Sequence, residues 1–277
     1  MQHFINNKWV GERELVVPVR DLGFLRGYAV FDFLRTYNNK PFKIAEHIDR
    51  LYRSADLIGL KISKSRQEIK ELVDEAVKRN TNGQEKFIKI IVSGGVSDSM
   101  LVSSDPTIII MIDNCTVYPA ENYENGVGVI TVKFNRYMPE AKTNNYIEGV
   151  RQSQIAKESG AVEPVYYDDR QVFEGSNSNI FALVDGRLLT PKSNILEGIT
   201  RNVLLEILKL DVEVCEEDFS IEQLRLASEV FFTGSGKEVT PITKIDSKFV
   251  GDGKVGAVTR EVIRQFRQYT QSDKWHF

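Results

Sequence analysis

The sequence predicts a mixed α/β (α+β) fold built in two parts. Three observations carry that prediction. Segments of helical and strand periodicity alternate irregularly, several strand candidates are joined by tight turns, and one polar stretch divides the chain. Irregular alternation with hairpins argues against a doubly wound parallel sheet, in which each strand needs a crossover helix. The dividing stretch is "TVYPAENYEN", residues 116–125, which holds Pro119 and lacks periodicity. It reads as a linker. A small N-terminal α/β domain is expected over residues 1–115 and a larger C-terminal domain over residues 126–277.

The elements follow in order. "FINNKWV" is two short extended pieces around an Asn-Asn turn. "AVFDFLRTYNNKPFKI" repeats this on a longer scale, with "NNKP" as the turn. A helix is expected near 45–59, where Ile48, Leu51, Ala55 and Ile58 recur at helical spacing. A second is expected over 66–79, with Ile69, Leu72, Val73, Ala76 and Val77 on one face. "EKFIKIIVSGG" and "PTIIIMIDN" are strands that close the first part. The second part opens with the strand "GVGVITVKF", followed by a helix at 145–159 and the strand "EPVYYDD". "QVFEGSNSNIFALVDGRLLTP" reads as short strands separated by turns. The helix "TRNVLLEILKL", the strands "VEVCEED" and "EVFFTG", and a terminal helix over 254–270 complete the chain.

The chain has 277 residues, of which 42% are hydrophobic and 27% charged, enough apolar material for a sizeable core. The net charge is -3 and no block of Lys and Arg occurs, so a nucleic-acid partner is not expected. The longest apolar run, "TIIIMI", is too short to span a bilayer, so no membrane partner is expected. "MQHFINNKWVGERE" turns polar at once and lacks the apolar centre of a signal peptide. Cys115 and Cys215 lie far apart and suggest neither a metal pair nor a disulfide framework. A cytoplasmic setting is expected. The three histidines, His3, His47 and His276, make no ligand cluster, so no metal is expected.

Several motifs fail on inspection. "TGSGK" at 233–237 suggests a phosphate-binding loop, but Phe231 stands where that loop needs glycine and Glu238 where it needs Ser or Thr. "GVGVIT" begins like a dinucleotide fingerprint, but Thr131 occupies the last glycine position and the run lies within a strand. No GxSxG elbow occurs, so a hydrolase reading has no nucleophile.

Five segments remain that are rich in small and polar residues near element ends: "EHIDRLYRSA", "EAKTNNY", "FEGSNSNIF", "LEGITRN" and "FFTGSGKEVTPI". Any one is weak. Together and in this order they resemble the class IV aminotransferases, the pyridoxal-phosphate enzymes of fold type IV. That family holds branched-chain aminotransferases, D-amino acid aminotransferases and aminodeoxychorismate lyase. The resemblance covers nearly the whole chain. It implies two domains, the larger with strongly bent mixed sheets, a homodimer, and pyridoxal 5'-phosphate as cofactor.

The chemistry of each segment can be stated beside the resemblance. The cofactor needs a lysine to hold its aldehyde, and that amine must be kept unprotonated to attack. By resemblance it is Lys142, which also shuttles the proton at the substrate α-carbon. Without the surrounding motif, Lys142 would read as an ordinary solvated lysine at a helix entry. The ring nitrogen needs a carboxylate beside it, and Glu174 matches that residue. Tyr146, one helical turn from Lys142 on this reading, resembles the tyrosine that bonds the ring oxygen in branched-chain enzymes. Here the interval is one residue shorter. Arg50 matches the phosphate arginine, and Gly198, Ile199 and Thr200 open a helix whose N-terminus suits an anion, with Thr200 able to cap it. Gly234 and Ser235 match a second phosphate-side loop, and Leu196 matches the side chain packed against the ring.

The resemblance implies an amino acid and a 2-oxo acid as partners. Phe31 and Arg35 resemble the pocket-lining strand of branched-chain enzymes, which favours an apolar side chain. Arg26 stands where those enzymes carry tyrosine and Lys89 where they carry arginine. The Arg and His carboxylate trap of known D-amino acid enzymes would fall in "SGGVSDSML", which contains neither. Branched-chain L-substrates are therefore favoured slightly over D-amino acids. Aminodeoxychorismate lyase and a non-catalytic relative of the fold remain as further alternatives.

Overall fold

The structure is a computed structural model that describes residues 1–116, 118–272 and 275. His276, one of the three histidines weighed above, lies outside the described residues. The chain divides into two compact units. The first comprises Met1–Thr116 together with Ala141–Asn145 and Trp275, and the second comprises the rest of the described chain. The segment that carries Lys142 thus packs with the first unit although its sequence neighbours on both sides belong to the second.

The first unit contains strands β1 (Gln2–Ile5) and β2 (Lys8–Gly11), the short helix α1 (Leu22–Arg26), β3 (Ala29–Tyr37), β4 (Lys40–Pro41), helices α2 (Ile44–Leu57) and α3 (Arg66–Arg79), and strands β5 (Lys86–Ser93) and β6 (Thr107–Asn114). The strands form one antiparallel sheet in the order β2-β1-β6-β5-β3-β4. Both Asn-Asn turns are real. Asn6 and Asn7 take φ of 44° and 67°, and Asn38 and Asn39 take 52° and 59°. Asparagine tolerates that left-handed region because its side chain can bond locally, and two such residues suit the twist of a two-residue hairpin. Helix α3 covers the expected residues and starts with a capping box between Ser65 and Glu68. Ile48, Leu51 and Ala55 of α2 and Ile69, Val73 and Ala76 of α3 bury their stripe with Val30, Leu34, Ile88, Ile90 and Ile110 of the sheet. Period two along β3 then leaves Phe31, Phe33, Arg35 and Tyr37 half-buried on the opposite face.

The second unit contains α4 (Ala120–Glu124), β7 (Val127–Lys133), α5 (Ile147–Glu158), β8 (Glu163–Tyr167), β9 (Val172–Gly175), β10 (Asn179–Val184), β11 (Arg187–Thr190), α6 (Ile199–Ile207), β12 (Glu213–Glu216), α7 (Ile221–Leu226), β13 (Glu229–Gly234), β14 (Glu238–Ile245), β15 (Lys248–Phe249) and α8 (Ala257–Gln271). Its mixed sheet of nine strands runs β12-β11-β10-β13-β14-β7-β8-β9, with β15 paired to β14. The contacts β14–β7, β7–β8 and β11–β12 are parallel and the others antiparallel. Ile180, Ala182, Val230, Phe232 and Ile242 lie in its core. The stretch read as an aperiodic linker contains α4, which Pro119 opens at the N-cap and five helix-tolerant residues extend.

Candidate functional site

In the first unit, Lys142 does not begin a helix. Its carbonyl accepts from the Phe31 N–H at 2.9 Å, and the Asn144 N–H donates to the Ala29 carbonyl at 3.0 Å. Thr143 forms an isolated bridge with Val30. These bonds to β3 take the groups a helix would have used, so α5 starts only at Ile147 and Tyr146 is its N-cap. The expectation that Lys142 and Tyr146 share a helical face is therefore wrong. They also belong to different units.

The Lys142 side chain is buried, with the residue 9% exposed, and its Nζ lies 4.7 Å from the centre of the Phe31 ring. Lys89 Nζ lies 5.7 Å from the same centre. The register explains this convergence. Phe31 opposes Ile91, Phe33 opposes Lys89 and Arg35 opposes Phe87, so all six share one face of the β3–β5 pair. Arg35 lies farther along this face, stacked over Tyr37 at 4.5 Å and near Phe87 at 5.9 Å. Arg26 is exposed at the end of α1 and donates to the Leu25 carbonyl at 3.0 Å.

Behind β3 stands a buried charged cluster. Arg50 Nε and Nη2 each donate to the Asp32 carboxylate at 2.8 Å, and His47 Nδ1 is 2.6 Å from Asp32 Oδ1. Burial pushes the Asp32 carboxyl up, but the Arg50 and His47 charges and hydrogen bonds outweigh it and hold it well below the usual carboxylate range. Burial also pushes His47 down despite the pull of Asp32. One turn beyond Arg50, Ser54 donates to the Arg50 carbonyl at 2.8 Å and accepts from the Lys142 N–H at 3.0 Å.

In the second unit, Glu174 lies near the end of its strand, 4% exposed. Arg136 Nη1 donates to its Oε1 at 2.5 Å, and the Leu196 N–H donates to its Oε2 at 3.0 Å. Asn179 Nδ2 lies 3.5 Å from the same oxygen and donates to the Leu196 carbonyl at 2.8 Å. Burial works against the Arg136 cation, but Glu174 prevails and raises its pKa. Leu196 is buried beside this carboxylate.

Helix α6 has Gly198 as N-cap, with no side-chain capping bond. Thr200 lies inside the first turn and does not cap, contrary to expectation. Gly198 is required there: a Cβ would stand 1.9 Å from Asn179 Oδ1. Arg201 anchors the turn by donating to Thr190 Oγ1 at 3.2 Å, the Pro191 carbonyl at 2.8 Å and Glu216 at 2.9 Å. Gly234 and Ser235 lie at the β13–β14 hairpin, beside the 175–178 turn; a Cβ on Gly234 would be 3.4 Å from the Asn177 carbonyl oxygen. The buried hydroxyls of Ser176 and Thr233 have no hydrogen-bond partner. Among the described residues, no group of three His, Cys, Asp or Glu is placed to hold a metal, and no helix is long and apolar enough to cross a membrane.

Sequence reasoning missed Asp32, His47, Ser54, Arg136 and Asn179. Arg136 stands six residues before Lys142 with no pattern of its own. Asp32 had a signal: a carboxylate among aromatic and aliphatic residues on a strand, pointing to the covered face, has to be paired.

Two groups are thus assembled, a buried lysine over an aromatic ring beside an arginine cluster, and a buried carboxylate near an uncapped helix N-terminus. The amino-transferase class IV family profile matches residues 29–245. The chain belongs to the class IV aminotransferase family and is a transaminase with the fold of that family. It is 34% identical over 276 residues to a D-alanine aminotransferase of Staphylococcus haemolyticus, covering 97% of this chain and 98% of that one. It is also 34% identical over 281 residues to a putative branched-chain-amino-acid aminotransferase of Methanocaldococcus jannaschii, covering 96% of each. A branched-chain amino acid aminotransferase of T.th., solved with pyridoxamine 5'-phosphate, superposes with a TM-score of 0.91 at 27% identity, over 99% of this chain and 96% of that one.

Proposed function

We propose that this transaminase uses pyridoxal 5'-phosphate to move an amino group from a branched-chain L-amino acid to a 2-oxo acid such as 2-oxoglutarate. The residues fit the cofactor. An aldehyde needs a buried amine, a ring nitrogen a buried carboxylate, and a phosphate a set of N–H and hydroxyl donors. Lys142 and Glu174 are buried, the first turn of α6 lacks a side-chain cap, and Ser176 and Thr233 hold unpartnered hydroxyls.

When bound, pyridoxal phosphate supplies an aldehyde and an electron-withdrawing ring that drains charge from the substrate α-carbon. Lys142 Nζ would hold the aldehyde carbon and, as a free amine, would carry the proton on and off the substrate α-carbon. Glu174 would keep a proton on the ring nitrogen, and Arg136 aims its carboxylate by donating to Oε1. By the family resemblance alone, Tyr146 would bond the ring oxygen and Leu196 would pack against the ring. Arg50, the 198–200 turn and Gly234 with Ser235 hold the phosphate. Phe31 and Arg35 line the side-chain face on this reading, whereas Arg26 and Lys89 would hold substrate carboxylates in a D-specific arrangement. A homodimer agrees with the exposed Val16, Val17, Val19 and Phe24 and the exposed Met100 and Leu101 of the first unit. A cytoplasmic setting is retained from the sequence.

The observation that carries the substrate preference is the half-buried face where Phe31, Phe33, Phe87 and Ile91 surround Lys89. Such a surface accepts an aliphatic side chain better than the methyl of alanine. The similarity to a D-alanine enzyme supports a second reading, a D-amino acid aminotransferase. A panel on the purified yellow protein decides, with 2-oxoglutarate as acceptor and L-leucine, D-alanine or D-glutamate as donor. Leucine turnover well above the others supports the first reading; D-alanine turnover without leucine turnover overturns it.

A further inference from the structure

The 233–237 run that imitates a phosphate-binding loop contains a lysine the chemistry above does not use. Lys237 Nζ donates to Glu163 Oε2 at 2.5 Å, with side-chain exposures of 15% and 1%. Ser178 Oγ donates to the other oxygen of Glu163. The close approach depends on Gly175, where a Cβ would stand 2.1 Å from Glu163 Oε1 and 2.4 Å from Ser178 Oγ. The lysine backbone is fixed too. Its N–H donates to the Gly234 carbonyl at 3.2 Å, and its own carbonyl accepts from Thr240 Oγ1 at 2.8 Å and Tyr123 Oη at 3.3 Å.

One buried carboxylate therefore ties together the start of β8, the 175–178 turn and the 234–237 loop. A buried ion pair is weak evidence of stability, since an apolar pair of the same shape does as well; its attested use is to fix register. The two segments tied here are also those that place unpartnered hydroxyls: Ser176 lies in the turn, and Thr233 immediately precedes Gly234. Unpaired buried hydroxyls so placed have hydrogen-bonding capacity for a ligand.

We propose that the Glu163–Lys237 pair is a positioning device that presets the 175–178 turn and the 234–237 loop as one rigid receptor for the cofactor phosphate. This rests on the reading of Gly234 and Ser235 as phosphate-side residues. Lys237 then contributes alignment through its bond to Glu163.

The test titrates the full chain, freed of cofactor, with pyridoxal phosphate and with pyridoxal, which lacks the phosphate, reading visible absorbance alongside a thermal melt. Lys237→Met and the double variant Lys237→Met/Glu163→Gln are expected to weaken pyridoxal phosphate binding about tenfold or more and leave pyridoxal binding unchanged. Lys237→Arg restores the preference. The double variant leaves no unpaired buried carboxylate, so it reports on alignment even if the single variant does not fold. A folded double variant that keeps the parental preference for the phosphorylated form overturns the proposal. So does an equal loss for both ligands. A parent that shows no such preference, or no cofactor fixed to Lys142 by borohydride, overturns the cofactor reading itself, an outcome distinct from a failed clamp.

Discussion

The amide of Lys142 donates to the hydroxyl of Ser54 at 3.0 Å, and that hydroxyl donates to the Arg50 carbonyl at 2.8 Å. The segment that presents the lysine is thus hung from the helix that presents the arginine. Ser54 is fully buried, so no water replaces it. Ser54→Ala leaves the Lys142 N–H unsatisfied, a cost of about 1–3 kcal/mol. The expected outcome is a lower urea midpoint and a fall in kcat larger than any change in KM. A kcat equal to the parent's shows that the bond does not position the lysine.

Arg136 and Glu174 form the second relationship. Their side chains are 17% and 5% exposed. Arg136→Met strands a buried carboxylate, which costs about 3–5 kcal/mol. Adding Glu174→Gln removes the stranded charge and is expected to recover most of that stability in urea unfolding. Turnover stays lost in both, because the ring nitrogen no longer faces an aimed carboxylate. Recovery of turnover in the double variant counts against the role given to Glu174.

Much of this was legible in the sequence, for identifiable reasons. Both Asn-Asn hairpins, helix α3 and the strand that carries Phe31 and Arg35 follow from local chemistry. The position of Lys142 before its helix does not. It depends on backbone bonds to Ala29 and Phe31, more than a hundred residues away, and helical spacing carries no trace of them. Thr200 fits a capping composition, but the approach of Asn179 to Gly198 makes glycine the N-cap instead. Asp32, His47 and Ser54 act by pairing from the covered side, and pairing across elements is invisible until the elements are packed.

The Asp32–His47–Arg50 cluster predicts a pH dependence. His47 is depressed from 6.5 and Asp32 from 3.8, so the unfolded chain binds protons that the native chain does not. Stability therefore rises with pH through this range. The His47 contribution is complete above 6.5 and is lost as pH falls toward its folded value. The Asp32 contribution persists to about 3.8 and is lost only below. The urea midpoint of the parent is expected to decline as pH falls below about 6.5, and His47→Gln to flatten that decline. An unchanged slope in the variant assigns the dependence elsewhere.

Gly198→Ala probes the helix N-terminus without altering any charge. Its Cβ would meet Asn179 Oδ1 at 1.9 Å and the Asn179 amide carbon at 3.1 Å. Asn179 cannot retreat freely, because its Nδ2 is bonded to the Leu196 carbonyl. Either the first turn of α6 or that amide has to move, at a cost of about 1–3 kcal/mol for an overpacked site. Moving the turn displaces the N–H groups proposed to receive the phosphate. Moving the amide disturbs the Leu196 segment, whose N–H holds Glu174. Both routes weaken cofactor binding, and absorbance tells them apart. A displaced turn weakens pyridoxal phosphate and spares pyridoxal. A displaced Asn179 weakens both and shifts the pH at which the bound chromophore changes colour. A variant that binds both ligands as the parent does shows that neither the turn nor the amide matters to the site.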